Sequence, residues 1–432
     1  MALNTKHFLM TLSFVAGVLF CATGQETATN DSISQKQSDN NMGGASVGRQ
    51  LEIDKKSYSF EYRFSIAPMN NWYVMKEKAL SNKGLQFGID YTSLYMRSSK
   101  VISDVNNKNT ASGILNLQVS WNLINRKSGK NKGTLLFKLS DRHAYGSLTA
   151  PMFHGLNESG YYGLSGTGYH DYTMRMLEFN YQQFFANQRL GFVVGKIDLA
   201  NYFNFHGISI PSMHFVGYGS MVTGTGNWGN AGLGAVVMGR PSKQIYAMLG
   251  AIDVYGDLFQ DGDFFDLGRN WENGDFMYMA EIGYIPSFSE RFFKRISLMA
   301  WKSPNYTSYG GNEVAAGEGI AVSSHWFFAQ RFAPYMKFAF SSGAGENTFY
   351  ERDFQLGHGL RFRHYDMLGT SFSWAKPNIP DSKNQMTFEI FYRYNVTAHI
   401  EVTADYQYII HPTLNPSENG LSYVGIRGRI KL

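Results

Sequence analysis

The sequence predicts an all-β fold, a sixteen-stranded antiparallel transmembrane β-barrel with a short N-terminal helix. Three observations predict it. Segments of roughly ten residues alternate apolar and polar side chains along most of the chain, the period-2 signature of strands with two different faces. The links between these segments are alternately short and long. Beyond the N-terminal run, no segment has the 18 or so uninterrupted apolar residues that a transmembrane helix needs. Ile114 to Leu123 shows the alternation well: Leu115, Leu117, Val119, Trp121 and Leu123 oppose Asn116, Gln118, Ser120 and Asn122. Strands of soluble sandwiches usually run about five or six residues, whereas a tilted bilayer crossing takes about 9 to 11.

At the start, Lys6 and His7 precede an apolar run from Phe8 to Phe20 and then Ala22-Thr23-Gly24, the pattern of an export signal (residues 1–24) cleaved before Gln25. Cys21, the single cysteine, falls inside that signal, so the mature chain is expected to carry no thiol, disulfide or cysteine metal site. Phe20 is too bulky for the small residue that precedes a lipidated cysteine. Residues 25–56 read as a flexible polar leader, because Glu26 to Arg49 offers almost nothing to bury. Residues 57–84 form a pre-barrel segment. In it Tyr58, Phe60, Tyr62 and Phe64 alternate ambiguously, and Trp72 to Leu80 reads as a short helix, a plug or lip, ended by Asn82 and Gly84.

The barrel occupies residues 85–432. Its expected strands are Leu85 to Tyr95, Gly113 to Leu123, Gly133 to His143, Thr173 to Gln183, Arg189 to Leu199, Ala231 to Gly239, Lys243 to Val254 and Phe276 to Ile285. The second half continues with Phe293 to Ser303, Gly317 to Phe327, Phe332 to Ser342, Arg352 to Phe362, Asp366 to Lys376, Met386 to Val396, His399 to Ile410 and Gly420 to Leu432. Loops of about 9 to 31 residues follow the odd strands and turns of about 2 to 9 the even ones, as in outer-membrane barrels with long external loops and short periplasmic turns. Sixteen strands leave room for an aqueous channel. The last strand alternates Val424, Ile426, Ile430 and Leu432 with Arg427, Arg429 and Lys431, although such barrels commonly finish in an aromatic residue.

Composition excludes several function classes. The formal net charge of +5 is too small to argue for nucleic acid, and no Lys/Arg block supports it. Ser324-His325 and scattered histidines supply material for a surface hydrolase, but there is no Gly-x-Ser-x-Gly elbow and no Ser, His and acid spacing. A His-Glu-x-x-His motif is also missing. Neither enzyme activity, nor a metal, nor any cofactor is expected.

Three stretches resemble the carbohydrate-selective porins (OprB family). Gly195-Lys196-Ile197-Asp198 followed by Tyr202-Phe203-Asn204-Phe205 is similar to the segment before that family's constricting loop. Val402-Thr403-Ala404-Asp405-Tyr406-Gln407-Tyr408-Ile409-Ile410-His411-Pro412, then Asn415-Pro416 and Gly425-Ile426-Arg427, resembles its terminal hairpin, with His411 where an Asn is more usual. Gly84-Leu85 and Gly88-Ile89-Asp90-Tyr91 after the helix are similar to the family's first strand. The resemblance implies a sixteen-stranded outer-membrane channel for small sugars.

A sugar channel needs lumenal groups that replace the solute's hydration shell. Strand parity offers Lys138, Arg142, Glu178, Lys196, Asp198, Arg361, Arg363, Glu389, Arg393, Glu401, Asp405, Arg427 and Arg429 as pore-lining residues, with Lys196 and Asp198 nearest the constriction. The same charges can instead hold one another and the loops. The loop from Ala200 to Asn230, with Phe203, Phe205 and Trp228, is long and apolar enough to fold into the barrel and offer rings to a pyranose, or to pack as an external cap. The expected function is passive, carbohydrate-selective diffusion across the bacterial outer membrane. The expected surroundings are outer-membrane lipid and small sugars, for a monomer or homotrimer. A general or anion-preferring diffusion porin is one alternative, and a surface adhesin or structural barrel another.

Overall fold

Sixteen antiparallel strands close on themselves because each, apolar on one face only, must pair both backbone edges in a medium that offers no hydrogen bonds. The computed structural model describes residues 41–44, 46–57, 62, 64, 69–102, 107–127, 131–163, 168–256, 274–308, 311–329, 331–362 and 365–432, all within the unit Asp39–Leu432. Residues 1–40, which include the expected signal and much of the leader, lie outside the described residues, as do Arg363 and most of Tyr58 to Phe64.

The wall consists of β1 (Leu85–Ser98), β2 (Asn109–Ile124), β3 (Gly133–Ala144), β4 (Tyr172–Phe185), β5 (Leu190–Ile197), β6 (Gly232–Gly239), β7 (Ile245–Asp253), β8 (Phe276–Tyr284) and β9 (Lys294–Ser303). A two-residue hairpin, β10 (Tyr306–Thr307) and β11 (Glu313–Val314), caps the next loop. The wall resumes with β12 (Gly317–Trp326), β13 (Phe332–Ser341), β14 (Tyr350–Arg361), β15 (Met367–Pro377), β16 (Gln385–Asn395), β17 (Ile400–Ile410) and β18 (Gly420–Lys431). Each strand pairs with its neighbours in the sequence of the wall, and β1 pairs with β18 to close it. At the seam Asp90 stands opposite Asn116 on one side and Lys431 on the other, and Ile89 and Leu432 exchange backbone hydrogen bonds of 3.1 and 2.8 Å. All sixteen expected strands are present, with ends shifted by a few residues.

The two faces sort as the alternation requires. On β2, Leu115, Leu117 and Trp121 are exposed while Asn116, Gln118 and Ser120 are buried. On β17, Tyr406 and Tyr408 face out while Glu401, Thr403, Asp405 and Gln407 face in. The outward apolar face gives a direct prediction. Leu249, in mid-β7 and 61% exposed, should tolerate Phe, but Leu249→Arg should cost about 2–4 kcal/mol at the bilayer midplane. Urea titration of the barrel in phospholipid bilayers reads this, and equal stability of the two variants would contradict the assigned face.

The expected helix spans Asn70–Lys83 and stops at Gly84, whose φ of +69° is the left-handed C-cap that glycine adopts without strain. The Trp121 indole N–H donates to the Lys83 carbonyl at 3.1 Å, and Tyr73 stacks on His399 at 4.9 Å, which ties the helix to the rim. The leader departs from the expectation of flexibility up to residue 56, since Val47–Ser57 is an α-helix. Its few apolar residues explain this. Met42, Val47 and Leu51 are all at most 4% exposed, Val47 and Leu51 packing with Leu136 of β3.

Candidate channel lumen

Inward positions on the strands carry both signs of charge, and six of these charges grip the loop 198–231. Glu389 accepts the backbone N–H groups of Val216 (2.5 Å) and Gly217 (3.0 Å). Asp353 accepts the Gly224 N–H (2.6 Å) and the Thr223 hydroxyl (2.9 Å), and Glu281 accepts the Asn204 N–H (3.0 Å). The cations take the carbonyls. Arg427 donates to Pro211 (2.5 Å) and His214 (2.8 Å), Arg393 to Met213 (3.3 Å), and the Lys337 ammonium to Asn204 (2.7 Å) and Met221 (3.0 Å). The loop therefore lies inside the barrel, its backbone dipoles sorted against fixed charges by charge-assisted hydrogen bonds, the stronger kind. His206 and His214, on this loop, are held well below the ordinary imidazole range, first by burial and then by the cations Lys337 and Arg393 respectively.

A second loop packs on the first. Tyr169 donates to the Pro211 carbonyl (3.3 Å) and the Tyr218 N–H to the Gly163 carbonyl (2.9 Å). Further round the wall, Arg429 sits among three carboxylates, Glu401 (3.0 Å), Asp54 (2.9 Å) and Asp90 (3.3 Å). Glu401 is in turn within 3.8 Å of Arg393 and 4.0 Å of Lys431.

The remaining expected pore residues divide differently. Lys138 and Arg142 are only half-buried. Lys138 stands opposite Glu178, and Arg142 lies 5.0 Å over the Tyr172 ring. Asp198 accepts the Ala200 N–H (2.9 Å), and Glu178 accepts from the Asn201 amide (3.0 Å). Asp405 accepts from Gln407 (3.2 Å). Arg361 stacks over Phe327 and Tyr365 at 4.9 and 4.6 Å.

Lys196 is buried, 6% exposed, on β5 opposite Phe179 and Leu233, and Asp198 lies just past the end of that strand. One expectation needs correction: the loop aromatics do not offer open ring faces. Phe203, Phe205 and Trp228 are each at most 3% exposed; Phe203 fills the inner core cluster, Phe205 lies 4.1 Å beneath Arg295, and the Trp228 indole donates to the Thr223 carbonyl (2.7 Å). Their apolar area is used to seat the loop. Sequence reading missed Lys337, Asp353, Glu281, Arg295 and Asp90. The available signal was a charge flanked by outward apolar neighbours, as Lys337 is by Met336 and Phe338.

The profile of the carbohydrate-selective porin, OprB family, matches residues 355–432, from β14 to the end of β18. No curated protein sequence matches the chain. In structure the chain is similar to OprB of Pseudomonas putida determined at high pH, with a TM-score of 0.67 and 14% identity, covering 84% of this chain and 97% of that one. The low-pH structure of the same protein gives a TM-score of 0.50 and 12% identity over 86% and 100%. The fold is that of a sixteen-stranded porin, and the family profile covers the terminal strands, including the hairpin with Asp405 and Arg427.

Proposed function

We propose that the protein is an outer-membrane porin that lets small carbohydrates diffuse passively into the periplasm. The carrying observation is the family match over residues 355–432 on a closed barrel whose inner face is polar. With Glu389, Asp353, Glu281, Arg427, Arg393 and Lys337 engaged by the loop and Arg429 by its carboxylates, we assign the mixed-charge group Lys138, Arg142, Glu178 and Asp198 to the solute, Glu178 and Asp198 also holding Asn201 and Ala200 of the loop. Lys138 and Arg142 retain exposure, and all four lie beside the base of the constricting loop. A sugar hydroxyl gains about 1.5–3 kcal/mol per hydrogen bond to a charged group before desolvation is subtracted. The net is weak binding, which a conducting site requires. The second reading is an anion-preferring general porin, with the half-buried Arg142 and Lys138 as its cations.

Liposome swelling with sugars, amino acids and salts of equal size separates the two. The proposal expects faster entry of neutral sugars than of other solutes of the same size, and a loss of that advantage in Lys138→Ala/Arg142→Ala. Flux ordered by size and charge alone would favour the general porin.

A further inference from the structure

We propose that residues 41–57 are a tethered plug, an autoinhibitory segment seated in the periplasmic mouth and able to leave it. This segment touches three parts of the barrel. Against the wall, Leu51 packs with Leu136 and reaches Gly88 so closely that a Cβ there would meet its Cδ2 at 2.7 Å, and Asp54 takes a two-pronged salt bridge from Arg429 at 3.1 and 2.9 Å. Against the constricting loop, Gln50 contacts the Met213 sulfur at 3.5 Å, and Gly44 is so tightly set on Phe205 that a Cβ would strike the ring. Against a short turn, Arg49 lies over Phe292 and Phe293 at 4.9 and 4.8 Å, and Arg291 donates to the Asn41 carbonyl.

The contacts of Arg49 and Asn41 with the 285–293 turn, and of Met42 with Gln182 beside the β4–β5 turn, place this at the end of the barrel where the short turns lie, the periplasmic end of an outer-membrane barrel. Nothing in the wall depends on the segment for backbone pairing. Among the described residues, no backbone–backbone hydrogen bond joins 41–57 to a strand. Its attachment includes ion pairs, apolar contacts, cation–π contacts and hydrogen bonds with barrel side chains such as Gln182 and Arg291, which can be released together while the sixteen-strand ladder stays intact. Release would uncover Arg429, which still has Glu401 and Asp90 as partners, so the wall is not left with an unpaired cation.

The inference rests on the channel reading but not on sugar selectivity, and ion current through the full chain in planar bilayers tests it. Leu51→Cys/Gly88→Cys should form a disulfide that locks the plug. The oxidised channel should show a steady low current without large openings, and reduction should restore wild-type openings. Asp54→Arg, which faces Arg429 and Lys431 with a third cation, should raise mean current several-fold in a barrel that keeps its heat-resistant gel mobility. Equal currents from the oxidised and reduced channel, or wild-type current in folded Asp54→Arg, overturn the plug. If wild type, reduced and Asp54→Arg channels all fail to conduct, the channel reading falls with it. If wild type conducts and Asp54→Arg changes nothing, only the plug does.

Discussion

Glu401→Gln is expected to be the most destabilising single change in the inner wall. The carboxylate lies 3.0 Å from Arg429, 3.8 Å from Arg393 and 4.0 Å from Lys431, and all four side chains are at most 3% exposed. Removing one member of a buried ionic group costs about 3–5 kcal/mol, because the partners remain buried without compensation. Here three cations are left, with Asp54 and Asp90 to offset only Arg429 and Lys431. Urea unfolding of the purified barrel should show a midpoint well below wild type, with Glu401→Asp intermediate. A midpoint unchanged in Glu401→Gln would mean that water reaches these cations and that the cluster does not hold the wall.

Glu389→Ala should act on the loop rather than on the wall. It removes the acceptor for two backbone N–H groups at 2.5 and 3.0 Å. Each hydrogen bond to a charged group contributes about 1.5–3 kcal/mol, so losing both raises the undocked population of the 211–217 stretch by about two orders of magnitude or more. Arg427 and Arg393 still hold Pro211, Met213 and His214, so the loop should loosen at its tip and remain inside. Single-channel recordings should show larger and noisier current with unchanged urea stability of the barrel. Glu389→Gln, which keeps one acceptor oxygen, should lie between. Wild-type conductance in Glu389→Ala would show that the loop tip does not narrow the conducting path.

What the sequence revealed follows from how local each signal is. Alternation needs only neighbours two residues apart, so the inward positions of Glu389, Arg393, Glu401 and Asp405 could be read directly, whereas the aromatic-rich loop read equally as an interior segment or an external cap. The uses of those side chains could not be read. Whether Arg427 meets a solute or the His214 carbonyl depends on a loop more than two hundred residues earlier. The surroundings of Lys196 and Asp198 could not be read either, because Gly195 takes a φ of +131° and the strand ends before Asp198, so strict alternation does not run through that pair. The helix Val47–Ser57 was hidden for the opposite reason. Its Arg49, Gln50 and Asp54 look like solvated polar residues, and their partners Phe292, Met213 and Arg429 are brought to them only by closure of the barrel.

Carbohydrate conduction is tested most directly by ion current through the wild-type protein in a planar bilayer as neutral mono- and disaccharides are added. Weak lumenal binding predicts transient, concentration-dependent blocking of the current beyond the effect of viscosity, reduced in Lys138→Ala/Arg142→Ala while the open-channel conductance stays equal or rises. Millimolar to molar sugar that changes the current no more than its viscosity does would contradict a sugar-selective channel.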